Sequence, residues 1–357
     1  MTANLTHRLK FKLLFISTGL FAALSSCSTQ EQTNVSKSLT SQDNSDTEIL
    51  ADNSTTQMPP NNLASNQEQK ENQEKQLRIT NANQGWNDAL MVDDVPYDLY
   101  IPPNYGNDPD RILPCVLVLP GWDYSRTSWV ENTELEKFAN ERGYALILPE
   151  MLQTLYASNY YPETELKWNQ VPGGKFIKER FIKEIQTRHN LLRSGQHNTM
   201  LGLSTGGRGV ALIALENPGL FVAGASLSGD FSQENTPQDR LMTAVYGPIA
   251  YFPDRWTGRD NPQSRADEWN MPLYLAHGTA DDIVPESQSR LFYEALKQHH
   301  DNNIRIEYNA VQGAGHDYQF WGGQLKEVFD FFDDTNPESN QETGFLRENS
   351  VSAPKST

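Results

Sequence analysis

The pentapeptide Gly202-Leu203-Ser204-Thr205-Gly206 lies between a short apolar run and a segment with helical spacing. Residues 198–203 suit a buried strand, and residues 207–216 suit a helix that stops before Asn217-Pro218-Gly219. In a sharp strand-to-helix turn, a serine projects its hydroxyl clear of the backbone, and small residues two positions away on either side let the two elements approach. The pattern predicts a nucleophile elbow with Ser204 at its tip.

A serine hydroxyl becomes a good nucleophile only when a histidine takes its proton and a carboxylate orients that histidine. Behind such an elbow the acid precedes the histidine along the chain. Asp281 is the predicted acid, in a polar turn after the strand-like run 271–277, and its neighbour Asp282 is the alternative. His316 is the predicted general base, in a glycine-rich loop after a further strand-like run.

The other histidines have less suitable surroundings. His277 ends a strand and is predicted to pack in the core, whereas His299 and His300 end a predicted helix, where they would interact with its C-terminal dipole. Three more lie among polar or charged neighbours and are predicted to be at the surface: His7, His189 and His197.

Acyl transfer passes through an oxyanion, which backbone N–H donors stabilise by about 3 kcal/mol each. Thr205, directly after the serine, is one predicted donor because the first N–H groups of a helix have no intrahelical partner. The second is predicted in the loop after the strand-like run 112–119, at Trp122, with Gly121 as the alternative.

From about Asp94 to Asp333 the chain resembles the esterase group of α/β-hydrolases, which includes S-formylglutathione hydrolases, feruloyl esterases and mycolyl transferases. Five stretches carry the resemblance in family order: 97–103, 202–209, 226–231, 277–281 and 315–321. The resemblance implies a triad of Ser204, Asp281 and His316, ester or thioester chemistry and no cofactor. The sequence also contains no spacing typical of a metal site.

Apolar strand-like runs alternate with helix-like segments at 133–142, 176–192 and 286–298. This alternation predicts an α/β fold with a mostly parallel central sheet and helices on both faces, here the α/β-hydrolase fold. The aromatic-rich stretch 153–174 is either a loop that shapes the substrate cleft or an ordinary surface loop.

Two single residues within this domain carry separate predictions. Arg208, in the helix after the elbow, is interpreted as an exposed helix arginine, with binding of a substrate carboxylate as the alternative. Cys115 lies in an apolar strand-like run, which predicts a packed free thiol.

The N-terminus differs in composition from this domain. Residues 1–26 combine basic residues with a short apolar run and predict a secretory signal, and the sequence before Cys27 resembles a bacterial lipoprotein box. A short uncleaved anchor with an incidental Cys27 is the alternative. Residues 27–77 predict a disordered tether, 78–334 the hydrolase domain and 335–357 a disordered tail.

These observations predict an exported, lipid-anchored serine hydrolase on the periplasmic or outer surface of a bacterial membrane. Its substrate would be a small-molecule or polysaccharide-linked ester. The formal net charge of −17 argues against nucleic acid as a partner. Two alternatives remain: an acyltransferase with the same triad, and a non-catalytic binding lipoprotein with a hydrolase fold.

Overall fold

An eight-stranded sheet forms the centre of the computed structural model, which describes residues 84–103, 113–161, 173–300 and 303–336. The strand order is β1-β2-β4-β3-β5-β6-β7-β8. Strand β2 runs antiparallel to both of its neighbours, and the six strands from β4 to β8 in this order are mutually parallel. The prediction of a mostly parallel α/β sheet is confirmed.

The strands, in chain order, are β1 (Gly85–Val92), β2 (Val95–Ile101), β3 (Cys115–Leu119), β4 (Ala145–Pro149), β5 (Asn198–Leu203), β6 (Ala223–Leu227), β7 (Leu273–Gly278) and β8 (Ile306–Val311). The α-helices are α1 (Ser128–Asn132), α2 (Leu135–Arg142), α3 (Gly173–Phe176), α4 (Ile182–His189), α5 (Thr205–Glu216), α6 (Arg240–Tyr246), α7 (Pro253–Thr257), α8 (Ser287–His300), α9 (Tyr318–Gly323) and α10 (Leu325–Asp334). A π-helical turn, Ile177–Phe181, joins α3 to α4, and two 3₁₀ turns cover Gln233–Asn235 and Gln263–Glu268.

Both faces of the sheet are buried, because alternate residues of each central strand contribute to different cores. In β3, Cys115, Leu117 and Leu119 pack on one face, and Val116 and Val118 pack on the other. Helices α3, α4, α5 and α8 cover the first face. Helices α1, α2, α9 and α10 cover the second. Because helices cover both faces, both sides of each central strand are buried, and these strands therefore appear in the sequence as continuous apolar runs.

The three predicted helices exist, with shifted ends. The first begins at Leu135 instead of residue 133, because the Thr133 hydroxyl accepts a hydrogen bond from the Leu135 amide (3.2 Å) and interrupts the helix there. The second starts earlier, at Gly173, and stops at His189, since Asn190 adopts a left-handed φ of 57°. The third is Ser287–His300.

Two predictions about histidines are wrong. His189 and His197 are partly buried, and each lies against a tyrosine hydroxyl: His189 Nε2 is 2.8 Å from Tyr97 and His197 Nε2 is 3.2 Å from Tyr144. Burial lowers the pKa of both imidazoles to about 4. Their polar sequence neighbours gave no sign of these contacts, which come from Tyr97 in strand β2 and from Tyr144 directly before β4.

Cys115 is a buried free thiol, as predicted. The predictions for residues 1–26, Cys27, the tether 27–77 and the tail beyond residue 336 lie outside the described residues. So does 162–172, within the aromatic-rich stretch. Among the residues that are described, no helix has both the length and the apolar character that a membrane span requires.

Candidate active site

Ser204 stands at the sharp turn between β5 and α5, with φ 54° and ψ −125°. The turn is tight enough to exclude side chains on both flanking glycines. A Cβ on Gly202 would lie 2.1 Å from the carbonyl oxygen of Gly206, and a Cβ on Gly206 would lie 2.3 Å from that of Leu119. The two glycines therefore permit the strained conformation of Ser204, as a nucleophile elbow requires.

Two hydrogen bonds link the three side chains that were predicted to act together, those of Ser204, His316 and Asp281. His316 Nε2 lies 3.0 Å from Ser204 Oγ, and His316 Nδ1 lies 2.7 Å from Asp281 Oδ2. Asp281 comes from the turn after β7 and His316 from the loop after β8, so neighbouring parallel strands bring both to the same edge of the sheet. The imidazole is almost enclosed, with 7% of its side chain exposed.

Asp281, not Asp282, meets the imidazole. Its Oδ1 accepts hydrogen bonds from the amides of Ile283 (3.0 Å) and Val284 (2.8 Å), which fix the carboxylate, whereas Asp282 points to solvent. Burial by itself would raise the pKa of Asp281. The hydrogen bonds from His277, His316 and the Val284 amide outweigh burial and hold that pKa well below its usual range, so the carboxylate stays ionised.

His277 is fully buried, as predicted, but it also supports this carboxylate. Its Nε2 lies 3.3 Å from Asp281 Oδ2 and 3.0 Å from the carbonyl oxygen of Val284. Its Nδ1 lies 2.7 Å from the Ser289 hydroxyl on α8. Sequence reasoning missed this contact, although a histidine four residues before the acid was a signal for it.

On its other side, His316 lies against an aromatic cluster. The indole of Trp321 meets the imidazole edge to face, with ring centroids 5.0 Å apart. The indole Nε1 donates to the Ser228 hydroxyl at 3.1 Å, which fixes the indole. A fixed indole restricts the rotation of the imidazole, because packed side chains keep few rotamers.

A cavity of about 460 Å³ opens beside these groups. Ser204 and His316 line it together with Thr205 and Trp122, the two residues predicted to donate to an oxyanion. Gly121, the alternative donor, does not line it, and a Cβ on Gly121 would come 2.7 Å from Leu203. Of the described part of the stretch 153–174, no residue lines this cavity.

The prediction for Arg208 is wrong. Its side chain is fully buried, and its guanidinium donates to the carboxylate (3.3 Å) and the carbonyl oxygen of Asp230, to Gln233 Oε1 (3.0 Å), to the Tyr246 hydroxyl (3.3 Å) and to the carbonyl oxygen of Asp260. All of these acceptors belong to the segment between β6 and β7. Since Arg208 lies on α5, one turn beyond Ser204, it joins the helix that follows Ser204 to that segment.

Asp230 is the main residue near the cavity that sequence reasoning missed. It lines the cavity and is 9% exposed. Burial raises its pKa to about 6, against the opposing effect of the Arg208 guanidinium. The backbone directly after Asp230 is fixed, because Gln288 Oε1 on α8 accepts hydrogen bonds from the amides of Phe231 (2.9 Å) and Ser232 (2.8 Å).

Within the described ranges, no group of three or more His, Cys, Asp or Glu side chains is arranged to hold a metal ion. The functional groups that border the cavity are hydroxyls, an imidazole, carboxylates, amides and aromatic rings.

The family model described as "Putative esterase" matches residues 88–332. The match spans nearly the whole described part of the chain, including Ser204, Asp281 and His316. The chain belongs to this esterase family. It is therefore a carboxylic ester hydrolase, and the resemblance seen in five short stretches is confirmed over the whole domain.

Solved structures support the fold of this esterase. An S-formylglutathione hydrolase from Agrobacterium tumefaciens superposes with a TM-score of 0.55 at 19% identity, over 67% of this chain and 88% of that one. A ferulic acid esterase gives a TM-score of 0.54 at 15% identity, over 71% of this chain and 100% of that one. At such identities the likeness establishes the α/β-hydrolase fold.

Among curated proteins, the non-reducing polyketide synthase mapC of Penicillium roqueforti (strain FM164) is 41% identical over 54 residues. The matched stretch is 15% of this esterase and only 2% of the synthase.

Proposed function

We propose that this esterase is a serine hydrolase that cleaves its substrate through an acyl-enzyme, with Ser204 as nucleophile, His316 as general base and Asp281 as the residue that orients the imidazole. One observation carries the proposal. The Ser204 hydroxyl, both nitrogens of His316 and the Asp281 carboxylate form an unbroken chain of hydrogen bonds of 3.0 and 2.7 Å.

In the proposed cycle, Ser204 Oγ attacks the acyl carbon while His316 Nε2 accepts the hydroxyl proton. The negative oxygen of the tetrahedral intermediate is stabilised by the backbone N–H groups of Thr205 and Trp122. When the intermediate collapses, the bond to the alcohol breaks and His316 returns the proton to the leaving oxygen. Water then attacks the acyl-enzyme, again losing a proton to His316, and the acid leaves as Ser204 regains its hydrogen.

The size and lining of the cavity suit a small substrate. Its volume of about 460 Å³ falls within the range of small-molecule sites, and Leu241, Met242 and Ile283 supply an apolar wall. The proposed substrates are small-molecule esters or small ester groups carried on a polysaccharide.

A fluorophosphonate probe tests the proposed nucleophile. It reacts with an activated serine, so we expect peptide mapping of the full chain to find the phosphonyl group on Ser204, together with loss of 4-nitrophenyl acetate hydrolysis. The matched sample is protein unfolded before exposure, in which Ser204 has lost His316 and stays unlabelled. Labelling at another residue of the folded protein would contradict the assignment.

Hydrolysis and acyl transfer differ only in what attacks the acyl-enzyme. Product analysis in water with and without an added alcohol separates them: hydrolysis yields the free acid, and transfer yields the new ester. For the proposed hydrolase the free acid remains the main product.

We also propose that the protein is exported and anchored through a lipid on Cys27, with residues 28–77 as the tether. The basic and apolar character of residues 1–26 supports this proposal. We expect Cys27→Ser to move the protein from the membrane fraction to the soluble fraction of a bacterial host. Cys115→Ser is the control, since Cys115 is the other of the two cysteines and is buried. Membrane association of the Cys27→Ser protein would contradict lipidation.

A further inference from the structure

One wall of the cavity carries two carboxylates as well as apolar side chains. The segment between β6 and β7 supplies Asp230 and Asp239, together with Thr236 and the apolar Leu241 and Met242. In the described part of the chain, none of the residues that line the cavity is a lysine or an arginine. The charge of this wall therefore depends on whether each carboxylate has a positively charged partner behind the cavity surface.

The Asp230 carboxylate forms an ion pair with a buried cation, but one of its two oxygens accepts no hydrogen bond from the described residues. Its Oδ2 lies 3.3 Å from the guanidinium of Arg208. Its Oδ1 is buried and has no hydrogen-bond partner among the described residues. A buried carboxylate oxygen without a donor is unfavourable, so the site gains free energy when a donor or a positive charge approaches.

Asp239 has no such counter-ion among the described residues that line the cavity. Its carboxylate caps α6, with Oδ1 accepting from the Met242 amide at 2.9 Å. The N-terminal dipole of this helix offsets only part of a unit charge. The neighbouring Arg240 is exposed and does not line the cavity. The described residues that line the cavity therefore carry a net negative charge.

Two aromatic rings complete the surroundings. Trp122 and Tyr124 follow β3 and line the same cavity, and both are partly exposed there. The face of an indole or phenol ring attracts cations within about 6 Å. Carboxylates and aromatic faces are the two features that proteins combine to bind ammonium groups.

From these features, and on the basis of the function proposed above, we infer that the cavity selects esters that carry an ammonium group, held against Asp239 and Asp230 while the ester carbonyl meets Ser204. The chemical class is thus a cationic ester. A carboxylate-bearing ester would be disfavoured by the same charges.

A pair of isosteric thioesters tests this inference. Acetylthiocholine carries a quaternary ammonium, and 3,3-dimethylbutyl thioacetate has the same shape with a neutral carbon in place of the nitrogen. The rate of thiol release by the full chain gives kcat/KM for each of the two thioesters. We expect the cationic substrate to be preferred by at least about tenfold, since a unit charge several ångströms from an unbalanced carboxylate in a partly enclosed site is strongly favoured.

Asp239→Asn is the main variant, because asparagine caps a helix as well as aspartate does and removes only the charge. We expect it to reduce the ratio of the two kcat/KM values, cationic over neutral, by about fivefold, because only the cationic thioester loses an attraction. Asp254→Asn is the matched control, since Asp254 is exposed in the first turn of α7 and does not line the cavity. Equal kcat/KM values for the two thioesters in the wild type would overturn the inference. So would a ratio of these values that Asp239→Asn leaves unchanged.

A second readout covers the case in which neither thioester is turned over. The two compounds are then compared as competitive inhibitors of 4-nitrophenyl acetate hydrolysis, and equal inhibition constants would equally overturn the inference. Absence of 4-nitrophenyl acetate hydrolysis itself would instead contradict the proposed function, so the two failures are distinguishable.

Discussion

Replacing Ser204 with alanine is expected to lower kcat for ester hydrolysis by a factor on the order of 10⁶, because removal of a serine nucleophile disables the whole catalytic group. Initial rates with 4-nitrophenyl acetate measure the effect. The loss should come from chemistry and not from unfolding, since alanine keeps the single Cβ of serine at the strained φ of 54° and only the hydroxyl is removed. The free energy of unfolding should stay within about 1 kcal/mol of the wild type.

The control for this experiment is Ser194→Ala, an exposed serine in a turn before β5. It should leave both kcat and unfolding unchanged. If the Ser204→Ala protein kept more than a few per cent of wild-type turnover, Ser204 would not be the nucleophile, and the hydrogen-bonded chain to His316 would have another role.

The second large effect is expected at Asp281. Asp281→Asn should lower kcat by about 10⁴-fold, because an amide next to His316 Nδ1 favours the tautomer that cannot accept the serine proton and does not stabilise the imidazolium. An asparagine oxygen can still accept from the amides of Ile283 and Val284, so the turn keeps its conformation. Steady-state kinetics at neutral pH provide the measurement.

Asp282→Asn is the matched control for this substitution, since it makes the same change one residue further along the same turn on an exposed side chain. We expect its kcat to remain within about twofold of the wild type, as is usual for surface substitutions. Equal losses in the two variants would mean that Asp281 does not act through the imidazole.

Patterns local in sequence predicted the layout of this fold. The alternation of apolar and helical segments indicated the parallel sheet, and the glycines around Ser204 indicated a turn whose tight packing follows from their missing side chains. Chain order alone indicated that Asp281 and His316 would lie near Ser204, because successive parallel strands end at one edge of the sheet.

Contacts between distant segments could not be predicted in this way. Arg208 was expected in solvent because its helix position is compatible with exposure, and its acceptors lie 22 to 52 residues away along the chain. His189 was misplaced for the same reason, since its partner Tyr97 is 92 residues away. The choice between Asp281 and Asp282 depended on the conformation of one turn, which composition does not determine.

The buried guanidinium of Arg208 has a consequence for any attempt to redesign the substrate range of this esterase. The segment that forms the acidic wall also supplies every hydrogen-bond acceptor that the described residues offer to that side chain, including two backbone carbonyls. A loop transplanted from a relative with another specificity would leave the guanidinium uncompensated beside Ser204 unless it offered equivalent oxygens. Loop exchange here should therefore succeed only when the new loop offers those oxygens or when residue 208 is exchanged together with the loop.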